Sequence, residues 1–192
     1  VVTLTAPDSA GGNFFSRWLI NGAPYSTNRV AILIMASDTT MTAVYVPPVH
    51  LTVDSQNPNS GVPIDVTPSD VNTNGNGSTT FVRDYRAGST VTLTAPYLAG
   101  GNIFSRWLHD GVPYSTNRTT SVAIPADTTM TAVYVPPIVL TVDSRNPDSG
   151  VPVTLTPADL ATNANGNTTF TRLYAPGTTV TLTAPLNAGG NV

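Results

Sequence analysis

The 192-residue chain contains no cysteine, no lysine and no glutamate. Without cysteine it has neither disulfides nor thiolate chemistry. Without lysine, Lys–Asn and Lys–Asp isopeptide cross-links are impossible, and so is Schiff-base catalysis. All eight cations are arginine and all eleven anions are aspartate, for a net charge of −3. That balance argues against nucleic acid or an anionic membrane as a partner. No apolar run approaches the roughly 20 residues of a membrane span, so membrane insertion is not expected. The missing Lys and Glu are also two strong helix formers, whereas the abundant Thr and Val favour strands. Hydrophobic residues make up 40% of the chain, enough to build a packed core.

Self-similarity sets the organisation. Val-Thr-Leu-Thr-Ala-Pro stands at 2–7, 91–96 and 180–185. Ala-Gly-Gly-Asn follows each time, at Ala10, Ala99 and Ala188. Phe-Ser-Arg-Trp-Leu occurs at 15–19 and 104–108, and Thr-Thr-Met-Thr-Ala-Val-Tyr-Val-Pro-Pro at 39–48 and 128–137. Every offset is 89 residues, with no slip of register. Two adjacent prolines cannot sit inside a paired central strand, so Pro47-Pro48 and Pro136-Pro137 mark boundaries. The chain then reads as a window of a longer tandem array. Residues 1–47 are the back part of one unit, 48–136 a complete unit, and 137–192 the front part of a third.

Seventeen prolines and fifteen glycines punctuate the chain as short strands and turns. Within the complete unit the pattern predicts strands at 50–55, 62–67, 80–85, 89–95, 103–109, 112–115, 121–124 and 129–135. Asp110-Gly111 is a strong hairpin signal. In 90–95, Val91, Leu93 and Ala95 alternate with threonines and should face inward. No segment keeps a helical period over three turns. The expected fold is all-β: a tandem array of β-sandwich, immunoglobulin-like units. The Pro-Pro linker is semi-rigid, so successive units should form a stiff rod.

The pattern resembles the divergent internalin-B B-repeat group of bacterial surface repeats. The resemblance is carried by Leu51-Thr-Val53, the run from Tyr85 through Ala95, Phe104 with Trp107, Asp110-Gly111, and the run from Asp127 through Tyr134. These are packing and turn motifs. The section from Asn57 through Thr80 is longer than the family pattern. The resemblance implies a secreted or surface-anchored multidomain protein whose repeats act as stalks or adhesive spacers.

Candidates for chemistry are few. His50 and His109 align with Val139 and Ile20, which speaks against catalysis. Paired catalytic carboxylates have no support: Asp38, Asp54, Asp127 and Asp143 stand at turns and strand ends. No enzyme activity and no cofactor are expected. Asp70, Asn72 and Asn74, followed by Gly75, open like a calcium loop, but the twelfth position, a glutamate in such loops, is Phe81. The competing reading is an Asx-rich loop bonding its own backbone. Asn76, Asn117 and Asn167 head glycosylation sequons that matter only in a glycosylating host.

Phe104 and Trp107 are three apart, so strict alternation would put them on opposite faces. Either a bulge aims both inward, or one ring is exposed and could stack on a sugar, which makes Trp18 and Trp107 binding candidates. In 30–37 the first copy replaces the outward Ser121 and Ala123 of the second by Ile32 and Ile34, and Pro125 by Ala36. Leu33 and Met35 should keep the inward role of Val122 and Ile124. The apolar strand is either buried on both faces by its own unit or meets another unit or chain. The function expected is a structural rod, stalk or fibre, extracellular or at a cell surface. Its partners would be neighbouring units or copies of itself. The alternative is an adhesive module for carbohydrate or a host surface.

Overall fold

The computed structural model describes residues 1–189. They form strands and turns and no helix, hence no helix long and apolar enough to cross a membrane. Residues 1–47 hold β1 (Val2–Thr5), β2 (Ser9–Ala10), β3 (Asn13–Ile20), β4 (Ala23–Ser26), β5 (Val30–Leu33) and β6 (Met41–Val46). The middle segment holds β7 (Val49–Gln56), β8 (Pro63–Thr67), β9 (Gly77–Ser78), β10 (Phe81–Tyr85), β11 (Ser89–Thr94), β12 (Leu98–Ala99), β13 (Asn102–His109), β14 (Val112–Ser115), β15 (Thr119–Ile124) and β16 (Thr128–Val135). The last segment holds β17 (Ile138–Val142), β18 (Pro152–Thr156), β19 (Asn165–Asn167), β20 (Phe170–Tyr174) and β21 (Thr181–Thr183).

All eight strands expected in the middle segment are present. The sequence reading missed β9 and β12, two residues each, because so short a stretch carries no alternation to read. The middle segment pairs its strands into two sheets. One runs β10-β7-β16-β13-β12, with β14 also on β13; the other runs β15-β11-β8-β9. All pairs are antiparallel except one. The first strand, β7, and the last, β16, lie side by side in parallel, from Thr128 opposite Leu51 to Val133 opposite Gln56.

Both sheets line one hydrophobic cluster of sixteen buried residues, to which β7, β8, β10, β11, β13, β15 and β16 all contribute. Val91 and Leu93 of β11 face into it and are wholly buried, as their alternation requires. The outward threonines form cross-strand pairs: Thr92 Oγ1 lies 2.8 Å from Ser121 Oγ, and Thr94 Oγ1 3.0 Å from Thr119 Oγ1. Asp110 and Gly111 both take positive φ, 48° and 81°, the conformation of the two-residue turn that joins β13 to β14.

A register shift between Phe104 and Arg106 resolves the aromatic spacing. The bulge turns Phe104 and Trp107 to the same side, with ring centroids 5.9 Å apart, and Tyr134 packs edge-on to Phe104. The same bulge recurs between Phe15 and Arg17.

The flanking segments have smaller clusters. Ala6, Phe15, Trp18 and Ala31 are buried in the first; Val142, Val151, Val153 and Leu155 in the last. β6 pairs with β3 and with no second strand, and β17 pairs with β20 and with no second strand, among the described residues.

Candidate functional site

The middle and first segments meet around Arg86. This residue starts the tight turn from β10 to β11, in which Ser89 N donates to Arg86 O and Gly88 takes φ 85°. The turn projects the guanidinium onto the first segment. Its Nη2 donates to Asp8 Oδ1 at 2.7 Å, and its carbon lies 4.6 Å from the centroid of the Phe14 ring. Weaker bonds of 3.4 Å reach the carbonyls of Asp8 and Phe15. Beside it lies a cleft of 410 Å³ lined by Asp8, Phe14, Pro48, Val71, Asn72 and Asp84, among others. Asp84 is held by His50 Nδ1 at 2.7 Å and accepts from Asn72 Nδ2 at 3.2 Å.

The same positions one repeat later are apolar as a block. Asp8 becomes Tyr97, Ser9 Leu98, Phe14 Ile103, His50 Val139, Asn72 Ala161, Asp84 Leu173 and Arg86 Ala175. Residues 8–14 and 50–86 lie far apart in sequence, yet both sides change character together. The polar and charged set that surrounds Arg86 thus has an apolar counterpart 89 residues on. The motif reading passed over Asp8, Phe14 and Arg86. The signal was available as a coordinated change between copies rather than as a motif.

The calcium candidates take another role. Asp70 is buried, and its Oδ1 accepts the N–H groups of Asn72 at 2.9 Å and Asn74 at 2.8 Å. Its Oδ2 accepts Asp84 N at 3.2 Å. Converging N–H donors suit an anion, and the carboxylate is that anion. Asn72 turns its amide to Asp84 instead of completing a ligand set. The next copy repeats the arrangement: Asp159 accepts Ala161 N and Asn163 N. Burial pushes the Asp159 carboxyl up, but those N–H groups, with Arg172 nearby, outweigh it and hold the group below the usual carboxylate range. Among the described residues no three His, Asp, Glu or Cys side chains gather as a metal site.

Trp107 is fully buried, and its Nε1 donates to Arg118 O at 3.0 Å. Trp18 is buried in the same way, donating to Arg29 O at 3.1 Å. Neither ring is a platform for a sugar; the bulge that turns each indole inward removes that role. Two tyrosines of the same cluster also bond backbone carbonyls. Tyr85 donates to Pro68 O and Tyr134 to Pro96 O. Burial pushes both phenols up to about 12.

Ile32 and Ile34 are not buried on both faces: they are 62% and 84% exposed, on and just beyond β5. Leu33 faces inward as expected, but Met35 is half exposed, because β5 ends at Leu33 and no strand pairs at Met35.

No curated protein and no solved structure matches the chain. Residues 53–137 match the family model of the divergent InlB B-repeat domain, the family that Phe104, Trp107, Asp110-Gly111 and Tyr134 resemble.

Proposed function

We propose that the chain is part of a bacterial surface repeat protein, with a structural rather than catalytic role. In this reading 89-residue β-sandwich units of immunoglobulin-like build, bounded at Pro47-Pro48 and Pro136-Pro137, stack into a stiff extracellular rod, stalk or fibre. The observation that carries it is the junction. Arg86 of one unit bonds the Asp8 carboxylate and covers the Phe14 ring of the unit before it. A Pro-Pro linker permits little bending at the same place. A linker too short to flex and a side chain that grips both units together fix one relative orientation. The family match supports the surface setting.

The test is small-angle scattering. Replacing Pro47 and Pro48 by glycine, together with Arg86→Ala, should reduce the maximum dimension of the chain. An unchanged dimension would sink the stiff-junction reading.

A second reading, adhesion to surface carbohydrate, is favoured by one recurring feature. The same shallow cleft of 360 Å³ appears twice, lined by Arg17, Pro24, Tyr25, Ser26 and Thr27 and again by Arg106, Pro113, Tyr114, Ser115 and Thr116. An exposed tyrosine beside an arginine can stack on and bond a sugar. Glycan-array binding lost in Tyr25→Ala with Tyr114→Ala would favour it; an unreactive array would leave the rod alone.

A further inference from the structure

Five of the eight arginines are engaged within the chain. Arg29 pairs with Asp8, Arg83 donates to Gly75 O, Arg86 to Asp8, Arg118 to Ala95 O and Arg172 to Thr171 O. Arg17, Arg106 and Arg145 make no hydrogen bond, ion pair or ring contact among the described residues. Arg145 has Gln56 as its counterpart one repeat earlier, whereas Arg17 and Arg106 are counterparts of each other. The bulge that turns each tryptophan inward leaves the arginine before it outward and exposed.

These two arginines line the recurring 360 Å³ cleft, which lies within one hairpin and the turn after it, β3-β4 or β13-β14. All five lining residues are the same in both copies, while the rim changes: Ile20 becomes His109, Asn21 Asp110, Ala23 Val112 and Ile32 Ser121. Part of that identity has a structural reason. Ser26 Oγ accepts Asn28 N at 3.0 Å, and Ser115 Oγ accepts Asn117 N at 3.1 Å. The Tyr25 hydroxyl donates to Ile32 O and the Tyr114 hydroxyl to Ser121 O, both at 2.7 Å. With its hydroxyl bound to the strand, each ring is held in place, yet Tyr25 is 42% and Tyr114 45% exposed. No such bond accounts for Arg17 and Arg106. The cleft therefore offers a fixed aromatic face beside an unpaired guanidinium, and no aspartate lines it.

We infer that each cleft binds a saccharide carrying a carboxylate, one sugar residue per repeat. The apolar face of the sugar ring stacks on Tyr25 or Tyr114. Its carboxylate takes the guanidinium of Arg17 or Arg106, whose planar fork matches that group. The exposed Thr27 or Thr116 hydroxyl is free to bond a ring hydroxyl. A ring held in advance loses little freedom on binding, which favours a shallow site. An acidic peptide fits less well. An extended peptide binds by adding to a strand edge, and the Ser121 carbonyl beside the cleft is already taken by Tyr114. Two sites on one chain would add avidity on a surface that displays many such sugars.

The inference rests on the carbohydrate reading above and names its ligand class. Nuclear magnetic resonance titration of the whole chain tests it. The probes are an oligosaccharide with a terminal glucuronic acid, the same oligosaccharide with a terminal glucose, and a short aspartate-containing peptide. The glucuronic acid probe should shift the Tyr25 and Tyr114 signals and bind at least about tenfold more tightly than the glucose probe, the worth of one charge-assisted hydrogen bond. Arg17→Gln with Arg106→Gln should remove that preference. Both side chains are exposed and unbonded, so the fold should survive, and circular dichroism checks that strand content is kept. Equal binding of the two saccharides, tighter binding of the peptide, or a preference that survives the double substitution would each overturn the inference. Equal binding of the saccharides at these tyrosines would still leave the carbohydrate reading standing. A chain that binds none of the probes would remove both.

Discussion

The six residues Val-Thr-Leu-Thr-Ala-Pro occur three times, and their burial differs each time. In the middle segment Val91, Leu93 and Ala95 are wholly buried. In the first, Val2 is exposed, Leu4 half-buried and Ala6 buried; in the last, Leu182 is 48% exposed. The local sequence is identical and the strand forms in all three. The difference lies in what stands beside it. β11 has β15 on one edge and β8 on the other, whereas among the described residues β1 has only β5 and β21 only β18. The strand is a local property; the core is supplied by strands distant in sequence, and sixteen buried residues gather only where both halves of a unit are present.

The comparison is broken most severely at the tryptophans. Trp107→Ala should cost about 3–5 kcal/mol in urea unfolding of the middle segment, as for a large core aromatic. Trp18→Ala, in a cluster of four buried residues, should cost measurably less. Equal losses would mean that the first segment is as well packed as the middle. Next come the matched leucines. Leu93→Ala should cost about 2–5 kcal/mol, and Leu182→Ala under about 0.5 kcal/mol, as expected of a half-exposed side chain measured in single chains. Comparable values would deny that burial separates the two copies.

Alkali sharpens the contrast. Tyr85 and Tyr134 are held up at about 12 by burial, above the usual 10. A raised folded-state value means the neutral phenol is the form the fold prefers. The stability it confers is full below about pH 10 and is lost as pH rises towards about 12. Ultraviolet titration should show two phenols ionising late, in step with unfolding of the middle segment. Ionisation of all seven tyrosines together near pH 10, with the fold intact, would contradict their burial.

The smallest effect belongs to the junction. Asp8 and Arg86 are largely exposed, so a double-mutant cycle should return about 0.2–1 kcal/mol. A coupling well above that would make the junction part of a shared core instead of a surface clasp.

Much of the fold was legible because its signals are local. Strand-forming runs between turn residues marked all eight longer strands of the middle segment, alternation marked the inward face of 90–95, Asp110-Gly111 marked the hairpin, and Pro-Pro marked where pairing must stop. The resemblance to the B-repeat family rested on packing residues and held for that reason. The candidate site was far less legible. Trp107 could be read either way, since the bulge after Phe104 depends on pairing with β16, a strand more than twenty residues on. Asp70 resembled a ligand because its type and spacing suit a cation, while the backbone N–H groups it accepts become visible only when the loop closes.

By itself, then, the sequence determined the elements: strands, turns and the 89-residue recurrence of the same motifs, the strands and turns set by side-chain patterning and backbone restriction over a few residues. Tertiary structure alone decided which copies of a strand are buried, that β7 and β16 lie in parallel, and that Arg86 reaches Asp8. Each of these depends on contacts between residues dozens of positions apart. Their free energy comes from surfaces that exist only once the distant strands have met.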